Sequence, residues 1–250
     1  MAGKMSEQNY LAGKIEDLIE REARGETMAF SSFLTPEEGV FAASLCQKAR
    51  APHLLFGGYD ESERKILAVS SMERDVLCQC FPIALLRFDG ELSEISNRDV
   101  LGALMATGIR RDVLGDIIVR DGLVLAFVAE RIKDFIVNNV SSIGRQSVKV
   151  SEAPYGFEIP KRRFETIRVT VASPRIDAVV GGLAHLSREQ ACRLIEGKSV
   201  YLNHTLQEKK TKEIHAGDSI VIRGSGKWII DECGDLTKKG RTVIISRKYI

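Results

Sequence analysis

The sequence predicts an α+β protein assembled from small units, and three observations predict it. Elements between Phe81 and Pro160 run in the order β-α-β-β-α-β, the order of a ferredoxin-like α/β plait. Before them, two amphipathic helices and two strands make a small N-terminal α/β unit. After them, two helices are followed by a run of short strands. At 250 residues, 44% hydrophobic and 28% charged, the chain can hold two to three such units. The expected limits are 1–78, 79–160 and 175–250, with 161–174 as a connector.

The first helix rests on Leu11, Ile15, Leu18 and Ile19, which fall on one face. The second opens at T-P-E-E-G-V: Thr35 caps it, Pro36 takes the first position and Glu38 closes a capping box. H-L-L-F (His53–Phe56) and K-I-L-A-V-S-S (Lys65–Ser71) read as strands around the turn G-G-Y-D-E-S-E-R.

In the plait, C-F-P-I-A-L-L-R-F is a strand and Ser96 caps a helix reaching about Met105. D-I-I-V-R-D-G-L-V-L-A-F-V-A-E is a hairpin across Asp121-Gly122, a strong turn signal. R-I-K-D-F-I-V-N-N-V is a helix, and S-V-K-V-S-E-A the last strand. Plaits often bind RNA by stacking bases on two or three exposed rings of the sheet, but the expected strand offers Phe127 alone.

K-R-R-F-E-T-I-R-V-T-V-A-S-P-R-I-D (Lys161–Asp177) reads as a basic, extended connector. Beyond it, Ser187 and Gln190 form a capping box, Ala191, Leu194 and Ile195 form the apolar stripe of a short helix, and Gly197 stops it. Val200-Tyr201-Leu202 is a strand, and S-I-V-I-R-G, G-K-W-I-I-D-E and T-V-I-I-S-R-K-Y follow it. Arg188 stands at the helix start and Lys198 at the turn after it. This suits a phosphate, and it also suits a plain solvated face. On this reading Arg188→Ala leaves folding within about 0.5 kcal/mol.

Charge separates the units. Residues 1–80 hold 9 Lys and Arg against 13 Asp and Glu, 81–160 hold 9 against 11, and 161–250 hold 18 against 10. A basic end on an acidic body points to a polyanion met by that end.

Other classes find little support. L-V-L-A-F-V-A (Leu123–Ala129) is too short to span a bilayer, and Glu7, Glu16 and Asp17 interrupt any signal-peptide pattern. Five cysteines, an odd number, fit a reducing cytosol. Cys78 and Cys80, on or near a strand with His53 nearby, do not make four spaced metal ligands. Gly57-Gly58 and Gly181-Gly182 do not form a cofactor loop, and the turn acids Asp60, Glu61 and Glu63 read as solvated. No cofactor, metal or small-molecule substrate is expected.

R-I-D-A-V-V (Arg175–Val180), S-R-E-Q-A (Ser187–Ala191), L-I-E-G-K-S-V-Y-L-N (Leu194–Asn203), K-T-K (Lys210–Lys212) and A-G-D-S-I-V-I-R (Ala216–Arg223) resemble the S-four RNA-binding domain in order and spacing. The resemblance runs to about Lys227. It implies two helices packed as an L, with phosphates of structured RNA over their N-terminal ends and the following turn. Arg175, Ser187, Arg188, Lys198 and Lys210 are then the phosphate contacts, with Asn203 at the turn. Lys212, Arg223 and Lys227 complete the expected RNA-facing set. Arg193 points off the apolar stripe, as a contact or a solvated side chain. Many members carry Asn-Gly where this chain has Asn203-His204.

F-G-G-Y-D-E-S-E-R-K (Phe56–Lys65), G-I-R-R-D-V-L-G-D-I (Gly108–Ile117) and V-A-S-P-R-I-D-A-V-V (Val171–Val180) are similar to YlmH-type proteins, from about Phe30 to the end. That resemblance implies a non-enzymatic, cytoplasmic bacterial factor. It would bind structured rRNA, and possible tRNA contact is implied with it, on the large ribosomal subunit carrying stalled peptidyl-tRNA, in ribosome-associated quality control. Arg110 and Arg111 follow a helix C-terminus, where the dipole alone favours cations, and the family raises a second RNA contact there. The alternative is an rRNA- or tRNA-modifying enzyme of pseudouridine synthase or methyltransferase type.

Overall fold

The computed structural model describes residues 2–92, 94–154, 156–236 and 240–250, with side chains from residue 8 onward apart from 235 and 236. The chain divides into two compact units, one ending at Pro160 and the other spanning Lys161–Ile250.

The first unit begins with α1 (Ala2–Ala23), β1 (Ala29–Leu34), α2 (Pro36–Ala49), β2 (His53–Phe56) and β3 (Lys65–Val69). The strands form an antiparallel sheet in the order β1-β3-β2. Central β3 is buried on both faces, so it reads as a continuous apolar run. Leu67 and Val69 meet Ile15, Leu18, Ala42 and Cys46 of the helices, while Ile66 and Ala68 pack on the opposite side. The predicted box is present: Glu38 N donates to Thr35 Oγ1 at 3.3 Å, and Thr35 N to Glu38 Oε2 at 2.7 Å. β1 is not among the strands expected from sequence. Ser31 and Ser32 break its alternation, and its register slips between Phe30 and Phe33.

The same unit continues with α3 (Arg74–Cys80), β4 (Ile83–Gly90), α4 (Asn97–Ala106), β5 (Leu114–Arg120), β6 (Leu123–Ala129), α5 (Lys133–Asn139), β7 (Ser142–Ile143) and β8 (Gln146–Glu152). The sheet order β5-β6-β4-β8-β7, all antiparallel, is that of the predicted plait with one short added strand. Asp121 (φ 50°) and Gly122 (φ 79°) make the expected hairpin turn. Cys78 and Cys80 lie on α3 rather than on a strand, because Pro82 lacks an N–H and β4 starts after it.

One face of this sheet holds α4 and α5 over Leu86, Phe88, Val124 and Val128, with Val100, Leu104 and Ile136 coming from the helices. The other face carries Ile83, Leu85, Ile118 and Phe127, and it is covered by Phe33, Ile66 and Ala68 of the first sheet together with Phe81.

The second unit comprises β9 (Phe164–Val171), α6 (Ile176–Leu183), α7 (Arg188–Glu196), β10 (Val200–Leu202), β11 (Thr205–Leu206), β12 (Ser219–Ile222), β13 (Gly226–Leu236) and β14 (Thr242–Tyr249). Its six strands run β11-β10-β12-β13-β14-β9. The stretch expected as a connector contains an edge strand of this sheet, β9, paired along β14 from Phe164↔Tyr249 to Val171↔Thr242. Its period-two pattern, Ile167, Val169 and Val171 inward, is masked in sequence by the cations before it. Those residues pack under α6 with Val179, Val180, Trp228, Ile230 and Ile244. Asn203 (φ 49°) and His204 (φ 65°) both adopt the left-handed region, so this chain makes the primed turn with a histidine in place of glycine.

Candidate nucleic-acid interface

α6 opens with an apolar run into which the sequence sets one acid, Asp177. Its side chain is 2% exposed, so an ionised carboxylate there requires partners. Arg188, from the start of α7, supplies two bonds, Nε and Nη2 to Oδ2 at 3.0 and 2.9 Å. Arg175, just ahead of α6, supplies two more at 3.2 and 3.1 Å. Burial pushes the Asp177 carboxyl up, but the bonds and charges of Arg188 and Arg175 outweigh it and hold it below its usual range. Asp177 thus ties the starts of two helices together. Sequence reading passed over it; the available signal was a lone acid inside an apolar helical run.

The amides at the start of α6 are already engaged. Ile176 N donates to Lys212 O at 2.8 Å and Asp177 N to Lys210 O at 3.4 Å, which brings the 210–212 loop against the helix. α7 differs. Its capping box is formed, with Gln190 N donating to Ser187 Oγ and Ser187 N to Gln190 Oε1 at 3.2 and 2.9 Å. The Arg188 and Glu189 amides belong to a first turn, which no helix bonds internally. Ser187→Ala is expected to lower the stability of this unit by about 1 kcal/mol, read as a lower thermal midpoint.

Arg175 and Arg188 therefore meet at the helix starts, and the backbone of Lys210 and Lys212 lies against the start of α6. Lys210 pairs with Glu196 of α7, which raises its pKa. Lys198, at φ 56° in the turn after α7, lies 3.4 Å from Glu208. Arg193 pairs with Glu189 on the outer side of α7 at 2.8 Å. Such solvated pairs are worth about 0–1 kcal/mol, so an arriving phosphate can displace the acid. Asn203 acts within the fold: its amide donates to Asp218 Oδ1 at 2.7 Å and accepts from Ser219 N at 2.9 Å. Arg223 bonds the Tyr201 hydroxyl and Lys227 lies over the Tyr249 ring, on the sheet face away from the helices.

Arg110 and Arg111 belong to the first unit. Arg110 is exposed and pairs with Asp112 at 2.5 Å. Arg111 is half-buried and donates to the carbonyls of Leu114 and Gly115 at 2.7 and 3.2 Å. Burial, with the Arg64 charge beside it, pushes its pKa down to about 10. The two motifs that single out this unit in sequence meet here. Asp116 accepts from the Tyr59 hydroxyl and from the amides of Glu63 and Arg64 at 2.9, 2.7 and 2.9 Å. Arg64 in turn donates to the carbonyls of Leu114, Phe33 and Arg111. Tyr59 stacks on Phe127, with centroids 4.9 Å apart. The ring considered for base stacking is thus buried under a tyrosine of the same chain. The motifs form a latch that seals the plait's sheet face.

Comparison with known proteins follows this division. Residues 80–156 match the family described as "Putative RNA-binding domain in YlmH". Over 220 residues, covering 86% of this chain and 84% of the relative, the sequence is 29% identical to "Ribosome-associated protein quality control protein P2" of Bacillus subtilis. The fold is similar to that of "Cell division protein ylmH from Streptococcus pneumoniae", with a TM-score of 0.52 covering 60% of this chain and 92% of that one, at 18% identity. The chain thus matches the YlmH RNA-binding domain at its centre and is similar along most of its length to a ribosome-associated quality control protein.

Proposed function

We propose that this chain is a non-enzymatic, cytoplasmic RNA-binding factor of ribosome-associated quality control. Its second unit, read as an S-four domain, docks on structured RNA of the large ribosomal subunit that carries a stalled peptidyl-tRNA. One observation carries the reading: two guanidiniums at adjacent helix starts are oriented by one buried carboxylate. Each guanidinium has five N–H donors and gives two to Asp177, which leaves donors in a fixed fork for phosphate oxygens. Lys198 and Lys210 extend the same cationic strip. The excess of 18 cations over 10 acids in residues 161–250 supplies the long-range attraction. The name of the Bacillus subtilis relative agrees with this reading.

The test is sedimentation of the full chain with ribosomal particles over a salt series. With about four to six phosphates engaged, affinity should fall steeply as salt rises. Lys198→Ala with Lys210→Ala should weaken sedimentation about tenfold, at roughly 1 kcal/mol or less for each charge, without moving the thermal midpoint. Unchanged sedimentation of that variant would place the contact elsewhere. An rRNA nucleotide whose modification is lost with the gene and restored by the purified protein would favour the modifying enzyme instead.

A further inference from the structure

The sheet of the second unit has two faces. α6 and α7 cover one; the other carries three aromatic rings in a single lateral row. Tyr201 of β10 pairs with Val221 of β12, which pairs with Lys227 of β13. Lys227 adjoins the Trp228↔Lys248 pair and lays its ammonium 4.8 Å from the Tyr249 centroid. Tyr249 pairs with Phe164 of the edge strand, with ring centroids 4.9 Å apart. Paired residues of neighbouring strands share a face, so the row runs across the sheet from β10 to β9. That span is roughly 19 Å, four gaps of about 4.8 Å. All three rings are half-buried rather than packed away.

Cations accompany every ring. Arg223 lies 5.0 Å from Tyr201, Arg162 5.1 Å from Tyr249 and Arg247 5.0 Å from Phe164. Asp231 faces this surface too and pairs with Arg247 at 2.9 Å. Isolated cation–ring contacts are ordinary, but a row of rings with cations between them has a more specific chemistry. Flat π-faces and guanidinium planes accept bases of any identity, and the ammonium and guanidinium groups meet the phosphates between those bases.

We propose that this face binds an unpaired, single-stranded RNA segment by stacking its bases on Tyr201, Tyr249 and Phe164. It is a second RNA surface, on the opposite side of the sheet from the helix-start cluster. Within the described residues, it offers the row of rings that the plait's sheet, sealed by Tyr59 over Phe127, does not.

The experiment titrates the full chain against a labelled, unstructured oligoribonucleotide, the same backbone without bases, and a base-paired hairpin. The wild type is expected to bind the oligonucleotide and to lose about tenfold on the baseless strand. Tyr201→Leu and Tyr249→Leu are each expected to weaken single-strand binding about tenfold and leave the hairpin unchanged. Tyr201→Phe keeps the ring and should bind like wild type. Lys198→Ala with Lys210→Ala should show the reverse pattern, losing the hairpin and keeping the single strand. Should Tyr249→Leu loosen the β9–β14 pairing and fail to fold, Tyr201→Leu decides alone. Equal binding of baseless and natural strands, equal loss on both RNAs in the tyrosine variants, or preference for an acidic peptide over RNA would overturn the proposal. Hairpin binding that the lysine double variant retains in full, or that the wild type lacks, would instead overturn the helix-start reading and leave the single-strand proposal to stand on its own arms.

Discussion

Replacing Arg175 and Arg188 together with alanine is expected to destabilise the second unit by about 3–5 kcal/mol, because the buried Asp177 carboxylate then loses both countercharges. Trp228, the one tryptophan of the chain, is buried in this unit and reports its unfolding by fluorescence. Adding Asp177→Asn to the double variant should restore much of the loss, since an amide needs no countercharge. RNA affinity should not return with it. Recovery of stability without RNA binding would separate the structural role of these arginines from their role as phosphate contacts. A double variant as stable as wild type would mean that Asp177 is solvated or protonated in the folded chain. This revises the expectation from sequence that Arg188→Ala leaves folding unchanged: the side chain is 63% exposed, yet it balances a buried charge.

Acid should probe the same site. The folded Asp177 carboxyl lies below its ordinary range, so its contribution is complete above the unfolded value, about pH 4, and is lost as pH falls through the lower folded value. In Arg188→Ala the folded value rises, and the acid transition monitored by Trp228 should begin at higher pH.

Gly58→Ala is expected to destabilise the first unit by about 3 kcal/mol or more. The residue sits at φ +98°, where an L side chain is strained, and an added Cβ would lie 2.5 Å from the Phe127 ring. Phe127 has little room to shift, because it is buried and Tyr59 stacks on it within the latch. The loss should appear in the circular-dichroism melt while the Trp228 transition stays in place. Gly102→Ala is the control. That glycine lies inside α4 with nothing within 4 Å of its added Cβ, so alanine should stabilise by about 1 kcal/mol. A Gly58→Ala chain melting like wild type would mean that the seal over the plait is loose.

Local features were legible in the sequence and distant ones were not. The capping boxes at Thr35, Ser96 and Ser187 involve residues three apart, and each is formed. The plait's strand and helix order was likewise readable, because each element carries its own period and turn. β1 escaped because a bulge spoils its alternation, and β9 because basic residues lead into it. The Asp177 hub joins residues 175, 177 and 188 through burial, a property no spacing reveals. The row of rings escaped for a similar reason. Phe164, Tyr201 and Tyr249 are scattered over the last third of the chain, and strand register alone brings them into line.

The pairing of β9 with β14 has a consequence for how the chain is made. Arg241, beside β14, donates to the carbonyl of Thr170 in β9, 71 residues earlier. During synthesis β9 is therefore produced long before the strand that will hold it, and its hydrogen-bonding edge stands open in the meantime. Contacts so far apart in sequence close slowly, and an unpaired edge invites pairing with other chains. The exposed charges that β9 carries, Glu165 and Arg168, are the kind that discourage such pairing. The second unit is thus a late-closing domain, protected while incomplete by residues of its first strand.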